Sequence, residues 1–365
     1  MQEYANSRDQ WPDERWKSYD GAPPDEARCQ HEMYGEMRCG LPVFATGPDG
    51  EPLCIFHFSG ERDPEKLRGD LAEAVARGAH LWKANLEGCD LHRLDLRDAH
   101  LPRANLTNAV MTNIRTENAD LYAAQMQGAD LRGAKIEANA DLRTADLSGA
   151  RLAWAEISTG ARIHDVTWAA EGDVLEDERQ ARRTHSPQER LELLQQCAAA
   201  YRQIKQNYQD SGDYQRAGDF FLREMECRRA QMSISTPGHP PAPLLTRFLW
   251  WLMYSICGYG ERPFQIAKSS ALLVLLFAVL HGLAGIRVPS GAYVVGPGLV
   301  WPPDIELVYG FFRALYFSVV TFTSLGYGDL QPGPALGKAL AAIEVVIGVF
   351  CMSLFLVTVT RRWSR

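Results

Sequence analysis

The chain has 365 residues, a net charge of −7 and a pI near 5.8, a balance that excludes the basic face nucleic-acid binding demands. Its mean hydropathy of −0.23 averages a polar N-terminal two-thirds with an apolar C-terminal third, so the composition is read segment by segment. Residues 1–27 read as a flexible tail, and 1–28 contain no apolar run of the kind a signal peptide needs.

Residues 28–70 form a small segment punctuated by Gly and Pro. Cys29, Cys39, Cys54 and His57 lie within it, the last two at the x₂ spacing of a zinc knuckle. Three thiolates and an imidazole make a closed tetrahedral set suited to structural Zn²⁺, with His31 competing for one ligand position. The alternative is three reduced, partly buried thiols. With eight cysteines and an N-terminal half read as cytoplasmic, a disulfide framework is not expected.

From 79 to 160 a large apolar residue recurs every fifth position, at Leu81, Leu86, Leu91, Leu96, Leu101, Leu106 and Met111, then Leu121, Met126, Leu131 and Ile136. One inserted residue near Asn139 shifts the register to Leu142, Leu147, Leu152 and Ile157. Period five fits neither a helix nor a strand. The units, such as Ala84-Asn85-Leu86, resemble the pentapeptide-repeat family, which implies a right-handed quadrilateral β-helix with Leu and the preceding Ala inside. Thr116 at a central position and Pro102 depart from the pattern. No nucleophile, base or metal cluster recurs here, so the repeat reads as a spacer, docking platform or subunit contact, and the protein is not expected to be an enzyme.

Residues 171–185 read as a charged linker. Ser186-Pro187-Gln188-Glu189 is a capping box that opens helices over 187–209 and 213–231, and the pair resembles one tetratricopeptide hairpin, a connector over 186–231. The 14-residue apolar stretch 244–257 is too short to span a bilayer and suits an interfacial helix.

The C-terminal third, 263–361, carries two stretches long enough to cross a bilayer, 264–286 and 335–360. Between them 306–323 suits a re-entrant pore helix that ends at Ser324-Leu325-Gly326-Tyr327-Gly328-Asp329. Gly326 and Gly328 permit left-handed backbone, so the carbonyls of Ser324 through Tyr327 can face one axis and replace the water around K⁺. One chain supplies one wall of such a filter, which implies four copies, a homotetramer. Thr321-x-Thr323-x-x-Gly326-Tyr327-Gly328-Asp329 resembles the signature of two-transmembrane potassium channels, with Ser324-Leu325 where that family has Thr-Val and Val320 where some members carry Glu. The resemblance implies that Thr321 and Thr323 support the filter and that Tyr316 and Phe317 form an aromatic cuff. It also implies a hinge at Gly348 and a cavity lined by Val349, Met352 and Leu356, close helix packing being the alternative at Gly348.

Glu344 is an intramembrane carboxylate expected to pack behind the filter, face the cavity, or bond to the pore helix. Arg262 and Lys268 before the first span, and Arg361, Arg362 and Arg365 after the second, put both termini in the cytoplasm of a multi-pass protein in the cell (plasma or inner) membrane. The connection 287–304 then lies outside. No helix carries arginine at every third position, so steep voltage dependence is not expected. Any gating ligand or cytoplasmic partner is expected to act from the N-terminal side. A nonselective cation channel, or a membrane-tethered scaffold with a vestigial pore, are the rival readings.

Overall fold

The computed structural model describes residues 29–32, 39, 41–168, 174–287, 289, 293–295 and 305–363. The tail read at 1–27, most of the 287–304 connection and Arg365 lie outside them. Two compact units divide the chain, residues 1–211 and 212–365.

In the first unit, β1 (Ala45–Thr46) and β2 (Pro52–Leu53) form an antiparallel hairpin turning through Gly50 at φ 82°. Helix α1 (Pro64–Ala76) follows, with Asp63 capping the amide of Glu65 and Pro64 pre-set for the first turn. It buries Leu67, Leu71, Ala74 and Val75, and it runs across the boundary read at 70.

The repeats wind into coils whose parallel bridges join residues 20 apart, from His80 with His100 to Arg115 with Lys135, and 21 apart from Asp120 with Asp141 onward. Twenty residues are four pentapeptides, so each coil takes up four repeat units. The inserted residue near Asn139 is absorbed at one corner, where Asn139 itself takes φ 61°. Left-handed backbone recurs every fifth residue, as at Asn108, Asn113 and Asn118, and Asn tolerates it better than most side chains. Inside, Leu106 and Ala109 are fully buried, large beside small in a core too narrow for two large residues. Thr116 also points inward, its hydroxyl donating to the Lys135 carbonyl 3.2 Å away. The last coil reaches Thr167, bridged to Asp146, past the boundary read at 160.

Both ends of this stack expose a row of backbone groups that needs partners. At the first coil, the Asn85 amide donates to Phe56 O (2.6 Å), and Arg62 and Arg68 donate to the carbonyls of Asn85 and His92. At the last coil, helices α2 (Glu176–Arg183) and α3 (Pro187–Asp210) do the same work. Asp177 accepts from the Leu152 amide (2.6 Å) and Gln203 from the Ile157 amide (2.7 Å). Asn207 donates to Ser158 O and Ala161 O, both at 2.8 Å, and Tyr208 to Ile163 O at 2.9 Å. The segment 171–185 is therefore not simply a linker: it contains α2, with Asp177 and Glu178 buried, because the open coil supplies partners that solvent would otherwise provide.

The second unit begins with α4 (Tyr214–Gln231), capped by Asp213. The two helices read as one hairpin thus belong to different compact units, α3 being committed to closing the coils. Then come α5 (Leu244–Cys257), a left-handed elbow at Gly258, Tyr259 and Gly260, and α6 (Pro263–Ala284). The Gln265 amide holds the carbonyls of Tyr254 (2.7 Å) and Ser255 (3.0 Å), so the start of α6 satisfies the end of α5. Helix α7 (Ile305–Phe322) and helix α8 (Ala335–Trp363) complete the unit. Near the N-terminal end of α8, β3 (Ile286–Arg287) pairs antiparallel with both β4 (Tyr293–Val295) and β5 (Gln331–Pro332). Among the described residues, two helices, Pro263–Ala284 and Ala335–Thr360, are long and apolar enough to cross a membrane.

Candidate functional site

Where α7 ends, the chain turns into the glycine-rich segment. The Ser324 amide donates to Thr321 O and the Leu325 amide to Val320 O, both at 3.0 Å, which closes the last turn of the helix. Positive φ then falls on every second residue: 59° at Ser324, 58° at Gly326 and 78° at Gly328. Alternating handedness turns successive peptide planes alike, bringing the N–H groups to one side and the carbonyls to the other. Glycine makes two of these positions inexpensive; Ser324 bears the steric cost of left-handed backbone, about 1 kcal/mol.

Thr323 donates to Val319 O at 2.7 Å, which ties the start of the segment to α7, while Tyr316 stands exposed on the single chain. Phe317 turns the other way, packing with Ile286, Ala314 and the edge of the His281 ring (centroids 4.9 Å apart). The two aromatics therefore meet different surroundings. Thr321 is half-buried, while Leu325 and Tyr327 are exposed on the single chain.

On α8, Val349, Met352 and Leu356 are exposed. Gly348 faces α7 so closely that a Cβ there would lie 2.0 Å from Phe322 O. Glu344 is fully buried on a different face, which overturns the cavity-facing alternative: its carboxylate meets Ser318 of α7 and lies 2.9 Å from His281 Nε2 on α6. Sequence reasoning had not singled out His281 or Ser318. An ionisable residue within an apolar span was the available signal for His281; a serine on α7 offers none.

In the first unit Cys29, Cys39, Cys54 and His57 come together, with their ligand atoms all within 4.8 Å of one another and all four side chains buried. Cys39 Sγ lies 3.8 Å from Cys54 Sγ, and His57 Nδ1 lies 3.5 Å from Cys29 Sγ and 3.3 Å from Cys54 Sγ. The hairpin delivers Cys54 directly after β2, and the turn Cys54–His57 is closed by the His57 amide on Cys54 O at 3.1 Å. His57 Nε2 lies 2.8 Å from Trp82 O, which fixes Nε2 as the protonated nitrogen and leaves Nδ1 for the thiols. His31 stands outside the cluster, its ring stacked on His57 at 3.9 Å. Hydrogen bonds with Cys39 and Cys54 hold the Cys29 thiol below its ordinary range, and hydrogen bonds with Cys29 and Cys54 push Cys39 above it.

The ion channel family matches residues 273–365, and the pentapeptide repeats match 70–108 and 99–137. A voltage-gated potassium channel of Aeropyrum pernix is 29% identical over 102 residues, which cover 28% of this chain and 34% of that protein. A probable potassium channel protein of Methanocaldococcus jannaschii is 49% identical over 47 residues, 12% of this chain and 14% of the relative. The chain thus spans about a third or less of the length of these relatives. Among solved structures, a pentapeptide repeat protein from Cyanothece is 32% identical with a TM-score of 0.22, covering 23% of this chain and 57% of that one. The pentapeptide repeat protein HetL from Nostoc is 27% identical with a TM-score of 0.14, covering 27% and 52%. On the sequence matches, the chain carries pentapeptide repeats in its N-terminal region and an ion channel domain of the potassium-channel kind at its C-terminus.

Proposed function

We propose that the protein is a homotetrameric, potassium-selective channel of a cell membrane, with both termini cytoplasmic and an N-terminal region that regulates or docks it. The observation that carries this reading is the alternation of left-handed backbone at Ser324, Gly326 and Gly328, at the end of a helix set between two membrane-length helices. Carbonyls turned to one side suit dehydrated K⁺, and four such walls around an axis complete the coordination. Leu325 and Tyr327, exposed on one chain, are covered in that assembly by neighbouring copies, and the apolar outer faces of α6 and α8 by lipid. In this reading the coils wind right-handed, and signals from the cytoplasm reach the pore through α4 and the elbow before α6. The Arg229 guanidinium over the Tyr254 ring, 4.3 Å from its centroid, supports that route.

The Cys29, Cys39, Cys54 and His57 set is read as a structural Zn²⁺ site. Zinc bonds of about 2.3 Å to sulfur and about 2.0 Å to nitrogen make a tetrahedron with edges of about 3.8 and about 3.5 Å. The separations of 3.8, 3.5 and 3.3 Å lie close to those edges, and all four ligand atoms lie within 4.8 Å of one another. Four protein ligands leave no open position, so the metal stabilises the fold and performs no chemistry.

The test is reconstitution of the full chain in lipid with reversal potentials measured in opposed potassium and sodium gradients. A potential that tracks potassium, abolished by Gly326→Ala, supports the reading. Equal response to both ions points to a nonselective pore, and silence of a folded, membrane-inserted protein points to a scaffold.

A further inference from the structure

Three helices of the pore unit meet on a polar chain that ion coordination itself does not use. His281 on α6, Ser318 on α7 and Glu344 on α8 are all fully buried. His281 Nε2 lies 2.9 Å from Glu344 Oε2, while the Ser318 hydroxyl contacts both Glu344 Oε1 and, at 2.9 Å, the carbonyl oxygen of Val274 on α6.

Counting hydrogens assigns the donors. A serine hydroxyl has one hydrogen to give. The Val274 carbonyl has none, so the hydrogen in that contact belongs to Ser318. The hydrogen between Ser318 and Glu344 must then come from the carboxyl group. On the other side, a neutral imidazole donates its Nε2 hydrogen to Glu344 Oε2. His281 Nδ1 has no hydrogen-bond partner among the described residues, so it is better left as a bare acceptor than as a buried, unpaired N–H. The result is a neutral chain, from His281 to Glu344 to Ser318 to Val274 O, in which every hydrogen is used and no net charge is buried in an apolar span.

We propose that Glu344 carries its proton in the folded pore and is a positioning residue for conduction. Through Ser318, six residues ahead of Ser324, it holds α7 against both spanning helices and so sets where the carbonyl segment begins. The effect on conduction rests on the channel reading; the placement of the proton does not.

Glu344→Gln separates this from an ionised carboxylate, because an amide donates to Ser318 and accepts from His281 just as the protonated acid does. Glu344→Ala and Ser318→Ala break the chain. In full-length protein in lipid, the infrared carbonyl band of a protonated, buried carboxyl group is expected at neutral pH and is lost in Glu344→Gln. Potassium flux and selectivity over sodium in Glu344→Gln stay within about twofold of the parent, while Ser318→Ala loses about tenfold in selectivity, as leaving a buried polar group unpaired would produce. Absence of the band, or a Glu344→Gln channel as impaired as Glu344→Ala, overturns the proposal. A parent protein that shows the band but passes no potassium overturns the channel reading and the positioning role together, and upholds the proton placement alone.

Discussion

His57 and Trp82 are joined by a 2.8 Å contact from imidazole Nε2 to the backbone carbonyl, so the residue that turns Nδ1 toward three thiols also holds the first coil of the repeats. Removing the metal from the proposed site should therefore loosen the coil. Chelator, or His57→Ala, is expected to abolish bound zinc and to raise amide exchange at Asn85 and Leu86 before any change near Leu152. Equal protection of the first coil with and without metal would separate the cluster from the repeat. The binding free energy available for such coupling is large, about 10 kcal/mol or more for structural zinc.

Gly348 and Phe322 make the next prediction. A methyl group at Gly348 meets the Phe322 carbonyl at 2.0 Å, a contact no Cβ tolerates, and Phe322 is the last residue of α7. Gly348→Ala is expected to lower the yield of folded protein and its melting temperature, at a cost of about 1–3 kcal/mol for overpacking. A variant that assembles with parental stability and differs only in gating would instead favour the hinge.

Stacked His80 and His100, with centroids 4.7 Å apart, give the first coils a pH dependence. Burial, and then the neighbouring His100, push His80 down from 6.5 to about 4. The unfolded chain binds a proton between these values that the folded coil refuses. Stability is thus full above pH 6.5 and falls as the pH drops toward 4, by about 3 kcal/mol at most from this residue. Thermal unfolding of the full chain across this range should show the loss, and His80→Asn should flatten it; an unchanged slope in that variant would assign it to other groups.

Arg229 and Tyr254 link α4 to α5. A double-mutant cycle with Arg229→Gln and Tyr254→Leu, read as open probability in lipid, should give a coupling of about 0.5–2 kcal/mol. Additive effects would remove this contact from the proposed route to the pore.

Much of this organisation is legible along the chain because it is local or periodic. Leu at every fifth place with a small residue two before it leaves few ways to wind, since neither a helix nor a strand would bury that set on one face. Two apolar runs of membrane length need no partner to be recognised, because an unpaired backbone has nowhere else to go in lipid. The Cys54-x-x-His57 spacing likewise marks a turn that can offer two ligands from one short segment.

Long-range partners are another matter, because nothing along the chain records what lies beside a residue in space. Asp177 and Asn207 look like solvent-facing polar residues until the open end of the last coil supplies an amide to one and two carbonyls to the other. Glu344 is visible in the sequence as a costly carboxylate in a span. Only the meeting of three helices decided that it is buried against α7, between Ser318 and His281, 26 and 63 residues away. By itself the sequence determined the period of the coils and the length of the spans, which backbone geometry and solvent exclusion dictate locally. Tertiary structure decided which polar groups meet, since a buried hydrogen bond is specified by where two segments cross and not by the residues that flank it.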